Sequence, residues 1–282
     1  MVRRASIKQA FEGARSMSAV AEVAARTALP ELFDLTGKVA VVTGSTKGIG
    51  KAIAERFADH GAKVVISSRK APACEAVAGA INERHPGAAI AVPANISSKD
   101  DLKRLVDEAR AAFGKIDILV CNAASNPHYG PMSGLSDEAF HKVLDNNIVS
   151  NHWLIHMVAP EMKAGRDGVV IIVSSVGGLR GSGVLGAYGI SKAADMQLAR
   201  NLAQELSPDN IRVNCIAPGL VKTDFARALW DTPEAERRSS QSTPLRRLGE
   251  PDDVAGAAVF LAGRSGAWVT GQTIVVDGGS TA

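Results

Sequence analysis

Tyr188 and Lys192 stand four residues apart in "GAYGISKAADM", so a helix there presents both on one face. Ser175 lies upstream, at the end of the run "GVVIIVSS". A phenol, an ammonium and a hydroxyl converging on one atom suit carbonyl reduction, in which carbon takes a hydride and oxygen takes a proton. A free tyrosine, with a pKa of about 10, is a poor proton handler at neutral pH. An ammonium about 4 Å away, in an effective dielectric of about 20, favours phenolate by about 4 kcal/mol. At about 1.4 kcal/mol per pKa unit, that lowers the tyrosine by up to about three units before desolvation opposes it. Ser175 would donate to the substrate oxygen as charge develops there. The pair alone would be read as two packed helix residues; Ser175 and a nucleotide loop turn it into a reaction centre.

The elements that must position these groups alternate regularly from Asp34 onward. "KVAVVTG", "AKVVISS", "AAIAVPA", "IDILVCNAA", "GVVIIVSS", "IRVNCIAPG" and "TIVVDGG" read as strands. Helical periodicity fills the gaps over about 48–60, 70–85, 98–113, 137–164, 187–207 and 251–262. Right-handed crossovers of this kind build a parallel sheet with helices on both faces. The expected fold is α/β: one doubly wound, Rossmann-type domain with a seven-stranded parallel sheet, spanning 31–282. The longest loop, about 220–247, holds Pro233 and Pro244 and is expected to be a lid or an irregular excursion over the substrate. Residues 1–30 are basic, Ala-rich and amphipathic. A helical extension, or an early start codon with Met17 the true one, is favoured over a transit-like segment.

"VVTGSTKGIGKAIA" puts Gly44, Gly48 and Gly50 between the first strand and the first helix. The turn must be tight, the backbone must approach pyrophosphate, and the helix N-terminus must offer free amides to it. Ser45, Thr46, Lys47 and Ile49 complete this dinucleotide loop. An NAD site usually carries a carboxylate at the end of the second strand. No Asp or Glu occurs between Asp59 and Glu75; Ser68, Arg69 and Lys70 stand there instead. A 2′-phosphate pairs well with such cations, so NADP(H) is expected over NAD(H). Asn95 either faces adenine or caps the next helix. Asn122, Ala123 and Ala124 end the fourth strand beside the cofactor.

Composition narrows the alternatives. Hydrophobic residues are 46% of the 282, enough for a full core, while aromatics are only 4%. A net charge of +3 without a basic run argues against nucleic acid. No apolar stretch spans a bilayer, so no membrane partner is expected. The three cysteines, Cys74, Cys121 and Cys215, lack metal-ligand spacing. They read as buried, reduced thiols in a cytoplasmic setting, with no bound metal. The basic N-terminal segment leaves organellar targeting open.

Taken together, "TGSTKGIG", "CNAA", "SSVGG" and "YGISK" resemble the short-chain dehydrogenase/reductases, over nearly the whole chain from residue 34. The resemblance implies Tyr188 as general acid/base, Ser175 orienting substrate, and Lys192 holding the nicotinamide ribose. It points to Asn147 as the residue holding a water that links the lysine to solvent. It places Pro218, Gly219, Val221 and Thr223 in a segment closing over nicotinamide. "SSRK", "NAASNP", "IRVNCIAPGLVKT" and "RRLGEP" narrow it to the peroxisomal-type NADPH-dependent carbonyl and retinal reductases. Aromatic ketones, α-dicarbonyls or retinal-like substrates are then implied. The C-terminal Ser280-Thr281-Ala282 is unlike a peroxisomal signal. Leu179, Val184, Leu185, Phe225, Leu229 and Trp230 give the expected pocket an apolar lining. The resemblance also implies a homotetramer, or a homodimer, packed through the two long helices. A β-ketoacyl carrier-protein reductase shares the same catalytic set and remains the rival enzyme; a non-catalytic NADP(H)-binding protein is the rival class.

Overall fold

The structure, a computed structural model, describes residues 29–282. The expectations for the N-terminal extension therefore fall almost wholly outside the described residues. A helical turn, Leu29–Phe33, leads into the chain, and Phe33–Ala282 forms one compact unit.

Seven strands make one parallel sheet: β1 (Val39–Thr43), β2 (Lys63–Ser67), β3 (Ala89–Ala91), β4 (Ile118–Cys121), β5 (Gly168–Val173), β6 (Ile211–Pro218) and β7 (Thr273–Val276). Their order is β3-β2-β1-β4-β5-β6-β7. The order reverses between β1 and β4, which opens a crevice at the carboxyl ends of those strands. Between them run α1 (Gly48–Asp59), α2 (Ala71–Arg84), α3 (Lys99–Phe113), α4 (Asp137–Leu144), α5 (Ser150–Gly165), α6 (Gly186–Leu206), α7 (Pro233–Ser242) and α8 (Pro251–Ala262).

Apolar residues run almost unbroken along the central strands because helices cover both faces. Alternate residues serve opposite layers. Ala40 and Val42 of β1, with Val169, Ile171 and Val173 of β5, pack against Ile53 and Phe57 of α1, Ile81 of α2 and Val254 of α8. Val41, Val170 and Ile172 point the other way, onto Leu105 of α3, Leu154 and Val158 of α5, and Ala199 of α6.

Two expectations are corrected. The segment 137–164 is not one helix: a widened π turn at Asp145–Val149 separates α4 from α5. Its freed carbonyls are taken by side chains from the next turn. Ser150 Oγ donates to Asn146 O at 2.6 Å, and Asn151 Nδ2 to Asn147 O at 2.6 Å. The excursion at 220–247 is not all loop either. It contains a 3-10 segment, Asp224–Leu229, and α7, which starts at Pro233 with Thr232 Oγ1 accepting from Ala235 N. α7 buries only Ala235, so it has no apolar stripe by which a helix is recognised in sequence.

Candidate active site

At the switch point, β1 ends in the glycine loop. Gly44 and Gly48 have φ of 66° and 55°, backbone that side chains strain to adopt. A methyl group at Gly50 would lie 2.4 Å from both Asn122 Nδ2 and Gly44 O. The Asn122 amide fills this space, donating to Thr43 O (2.9 Å) and Gly44 O (3.1 Å), while Thr43 Oγ1 accepts from the backbone of Asn122 and Ala123. Ser45 is fully buried and exchanges hydrogen bonds with Ser67 and Val42, so its side chain locks the loop to β2 and faces no phosphate. Thr46 and Ile49 are half-buried beside it, with Ala124 across the crevice. Free amides at the start of α1, with no side chain capping them, and a cradle kept open by glycines fit a pyrophosphate group.

Beyond β2, Ser68 is half-buried, and Arg69 and Lys70 are exposed at the head of α2. No carboxylate among the described residues engages either cation. Lys47 is held by Asp224 at 3.0 Å, an exposed pair that joins the glycine loop to the excursion after β6. Asn95 does not cap α3; Ser98 does, accepting from Asp101 N. The Asn95 carboxamide oxygen instead accepts from Ser97 N at 3.2 Å, so the residue shapes the turn after β3.

The reactive groups meet at the end of β5. Ser175 has extended backbone and opens the short turn Val176–Gly178, its Oγ accepting from Gly177 N at 3.0 Å. That leaves the hydroxyl proton free to donate elsewhere. A methyl at Gly177 would sit 3.4 Å from Ser175 Oγ and 3.8 Å from the Tyr188 ring, so both groups border one residue. Small residues let α6 approach this turn: methyls at Gly178 and Gly189 would lie 2.6 Å from Ala193 N and 2.8 Å from Gly177 O. The crowding of glycine and alanine around Tyr188 is therefore a packing requirement of the helix that carries it.

Lys192 is buried behind Tyr188. Its Nζ lies 5.7 Å from the Tyr188 ring centroid and donates to Val173 O at 2.9 Å and Asp195 Oδ2 at 3.0 Å. Two of three ammonium donors are thus used and one remains. Asn147, also fully buried, sits in the π turn. Its carboxamide accepts from Ser125 N (2.8 Å) and donates to Ser125 O (3.1 Å) and Ser191 Oγ (3.0 Å). The widened turn brings Asn147 onto α6 one residue before Lys192; π turns often mark such places.

The buried Pro218 ends β6, and the tightly packed Gly219 leads on to Val221, which bridges Gly249. Thr223 lies against the glycine loop: a methyl at Gly48 would be 3.0 Å from its Cγ2. Phe225 stacks near Tyr188, ring centroids 5.8 Å apart. Leu179, Met132 and Phe225 are exposed around this mouth, while Trp230 is half-buried, its Nε1 donating to Thr223 O at 3.1 Å. Sequence reasoning missed Asp195, whose signal was its place one turn from Lys192, and Asp224.

Residues 44–281 match the family model described as enoyl-(acyl carrier protein) reductase. Dehydrogenase/reductase SDR family member 4 of Oryctolagus cuniculus is 42% identical over 246 residues, 87% of this chain and 94% of that protein. The chain belongs to the short-chain dehydrogenase/reductase family. Its human relative of the same name is 42% identical over 249 residues, covering 87% of this chain and 88% of that one. Among solved structures, a 7α-hydroxysteroid dehydrogenase complexed with NADH and 7-oxo glycochenodeoxycholic acid superposes with a TM-score of 0.84 at 40% identity, over 88% of this chain and 96% of that one. A gluconate 5-dehydrogenase from Burkholderia cenocepacia, in complex with NADP and tartrate, gives 0.84 at 30% identity, over 89% and 98%. Family members thus bind either dinucleotide, and the choice rests on each chain's own residues. Among the described residues no helix is long and apolar enough to cross a membrane.

Proposed function

We propose that this short-chain dehydrogenase/reductase is an NADPH-dependent reductase of apolar ketones and aldehydes, including aromatic ketones, α-dicarbonyls and retinal-like compounds. The observation that carries the reading is the meeting of Ser175 and Tyr188 at Gly177, with the Lys192 ammonium buried behind the phenol. A protein that only bound a dinucleotide would need no such proton donor.

The bound nicotinamide supplies the hydride. Gly44, Thr46, Lys47, Gly48, Ile49 and Gly50 hold the pyrophosphate by backbone amides, and Ser45, its own amide bonded to Ser67 O, fixes the loop that presents them. Arg69 and Lys70, with Ser68, take the 2′-phosphate. Asn95 borders adenine, and Asn122, Ala123 and Ala124 border the ribose. Pro218, Gly219, Val221 and Thr223 close over the nicotinamide end. Ser175 Oγ donates to the substrate oxygen, and the Tyr188 hydroxyl gives up its proton there as the carbon–oxygen double bond becomes a single bond. Lys192 keeps positive charge beside the phenol and holds the ribose with its remaining donor. Asn147 connects this group to Ser191 and the backbone of Ser125, where a water can relay protons to solvent. The protein acts in the cytoplasm as a homotetramer or homodimer joined through the α4–α5 segment and α6.

The deciding experiment is a substrate panel run with NADPH and NADH side by side, including an acyl-carrier β-ketoester. Oxidation of NADPH by aromatic ketones, several-fold faster than of NADH, is the expected result. Turnover confined to the carrier-linked ester would transfer the assignment to the β-ketoacyl reductases, and tight NADPH binding without turnover would defeat the enzymatic reading.

A further inference from the structure

Lys192 is not the last charged group at the back of the site. Asp195 follows it by three residues on α6, and its carboxylate meets the ammonium at 3.0 Å. Lys192 is 2% exposed and Asp195 0%. The second carboxylate oxygen accepts from Asn151 Nδ2 at 3.1 Å, and the same amide donates to Asn147 O in the π turn. Asp195 is thus tied, through Asn151 at the start of α5, to the turn that carries Asn147. We propose that Asp195 is a positioning residue, the counter-charge that seats the buried Lys192 ammonium against Val173 and beside Tyr188. The proposal rests on the reading above for what that ammonium does.

An isolated ammonium sealed this far from water would shed its proton or break the packing around it. Burial pulls the Lys192 pKa down, but the Asp195 charge and the Tyr188 phenol outweigh it and carry it above its ordinary value. The groups that face the pair from other elements do not replace Asp195. They are the thiols of Cys121 on β4 and Cys215 on β6, both pushed up by burial and by Asp195 and therefore neutral. β5 offers the Val173 carbonyl, and the π turn and α5 offer the amides of Asn147 and Asn151. Arg200, two turns along α6, acts on Cys215. The only carboxylate among these groups is Asp195.

The test uses the full chain with Asp195→Asn, Asp195→Leu and the double variant Lys192→Met/Asp195→Leu. With the counter-charge gone, Lys192 loses the largest influence that opposes burial, and burial is expected to outweigh what Tyr188 and Cys215 still add. The alkaline limb of kcat/KM for carbonyl reduction is expected to move down by about one pH unit or more. A second readout needs no substrate. In the parent the raised lysine contributes stability below its unfolded pKa, lost only as pH rises through the higher folded value. In the single variants the folded value falls below the unfolded one, so the unfolded chain binds more protons and stability rises with pH. Their Tm should climb, relative to the parent, between about pH 7 and about pH 9.5. The double variant, with no orphaned charge, should melt above Asp195→Leu, or fold where Asp195→Leu does not. A single variant whose pH profile and melting track the parent overturns the proposal; so does a double variant that fails alongside the single. If the chain reduces no carbonyl, the melting data still decide the role of Asp195, separately from the reading of function.

Discussion

In the proposed reaction the proton comes from Tyr188, and its replacement by phenylalanine keeps the ring against Phe225 while removing that proton. Carbonyl reduction should fall by about 100-fold or more, with NADPH affinity, read by fluorescence quenching, within a few-fold of the parent. Retained turnover would mean another donor. At the far end of the cofactor, Arg69→Ser should raise the KM for NADPH by about 10- to 100-fold and leave that for NADH nearly unchanged. Equal losses with both cofactors would place the guanidinium away from the 2′-phosphate. These candidates could be read in the sequence because the chemistry proposed for them depends on local spacing: four residues from Tyr188 to Lys192, and a strand ending without a carboxylate. Asp195 was not, because an aspartate among alanines reads as a solvated helix residue until the fold shows that face sealed.

At the scale of elements, the glycine loop and the start of α8 invite separate tests. Gly50→Ala places a methyl against backbone and the Asn122 amide, both at 2.4 Å. Overpacking of this kind costs about 1–3 kcal/mol, so Tm should drop and NADPH should bind more weakly; an unchanged melting curve would show that α1 can retreat. The N-terminus of α8 is closed by a reciprocal capping box between Glu250 and Asp253. The Arg247 guanidinium and the Glu250 amide hold the Asp253 carboxyl down, at about 2. A depressed carboxyl contributes stability above its unfolded value of about 3.9, lost as pH falls towards about 2. Asp253→Asn should therefore lower Tm at pH 7 and make no difference below about pH 2. Strand and helix alternation was legible throughout because apolar runs and helical stripes report burial directly. The π turn was not, since Asp145–Val149 keeps helical composition and the Ser150 and Asn151 side chains that take its carbonyls leave no period to read. α7 escaped because a helix without an apolar face leaves no period to read.

For the molecule as a whole, the doubly wound sheet follows from the alternation, while its function follows from what the switch point collects. All three cysteines are buried and unpaired. A thiol reagent should modify none of them in the native protein and all three after denaturation; fast labelling of the folded chain would reveal openings of the sheet that its packing does not suggest. The widened turn at Asp145–Val149 also bears on how this chain can vary over generations. It holds one residue more than a regular helix needs, so the loss of a single codon there would heal it into an unbroken rod. Everything upstream in α4 would then swing by about 100° and slide by about 1.5 Å. The Asn147 amide would leave Ser125 and Ser191, and the buried Val143 of α4 would turn off its seat. Such a deletion would lower the melting temperature as well as any turnover, so this turn is a place where the chain cannot shorten without losing shape and chemistry together.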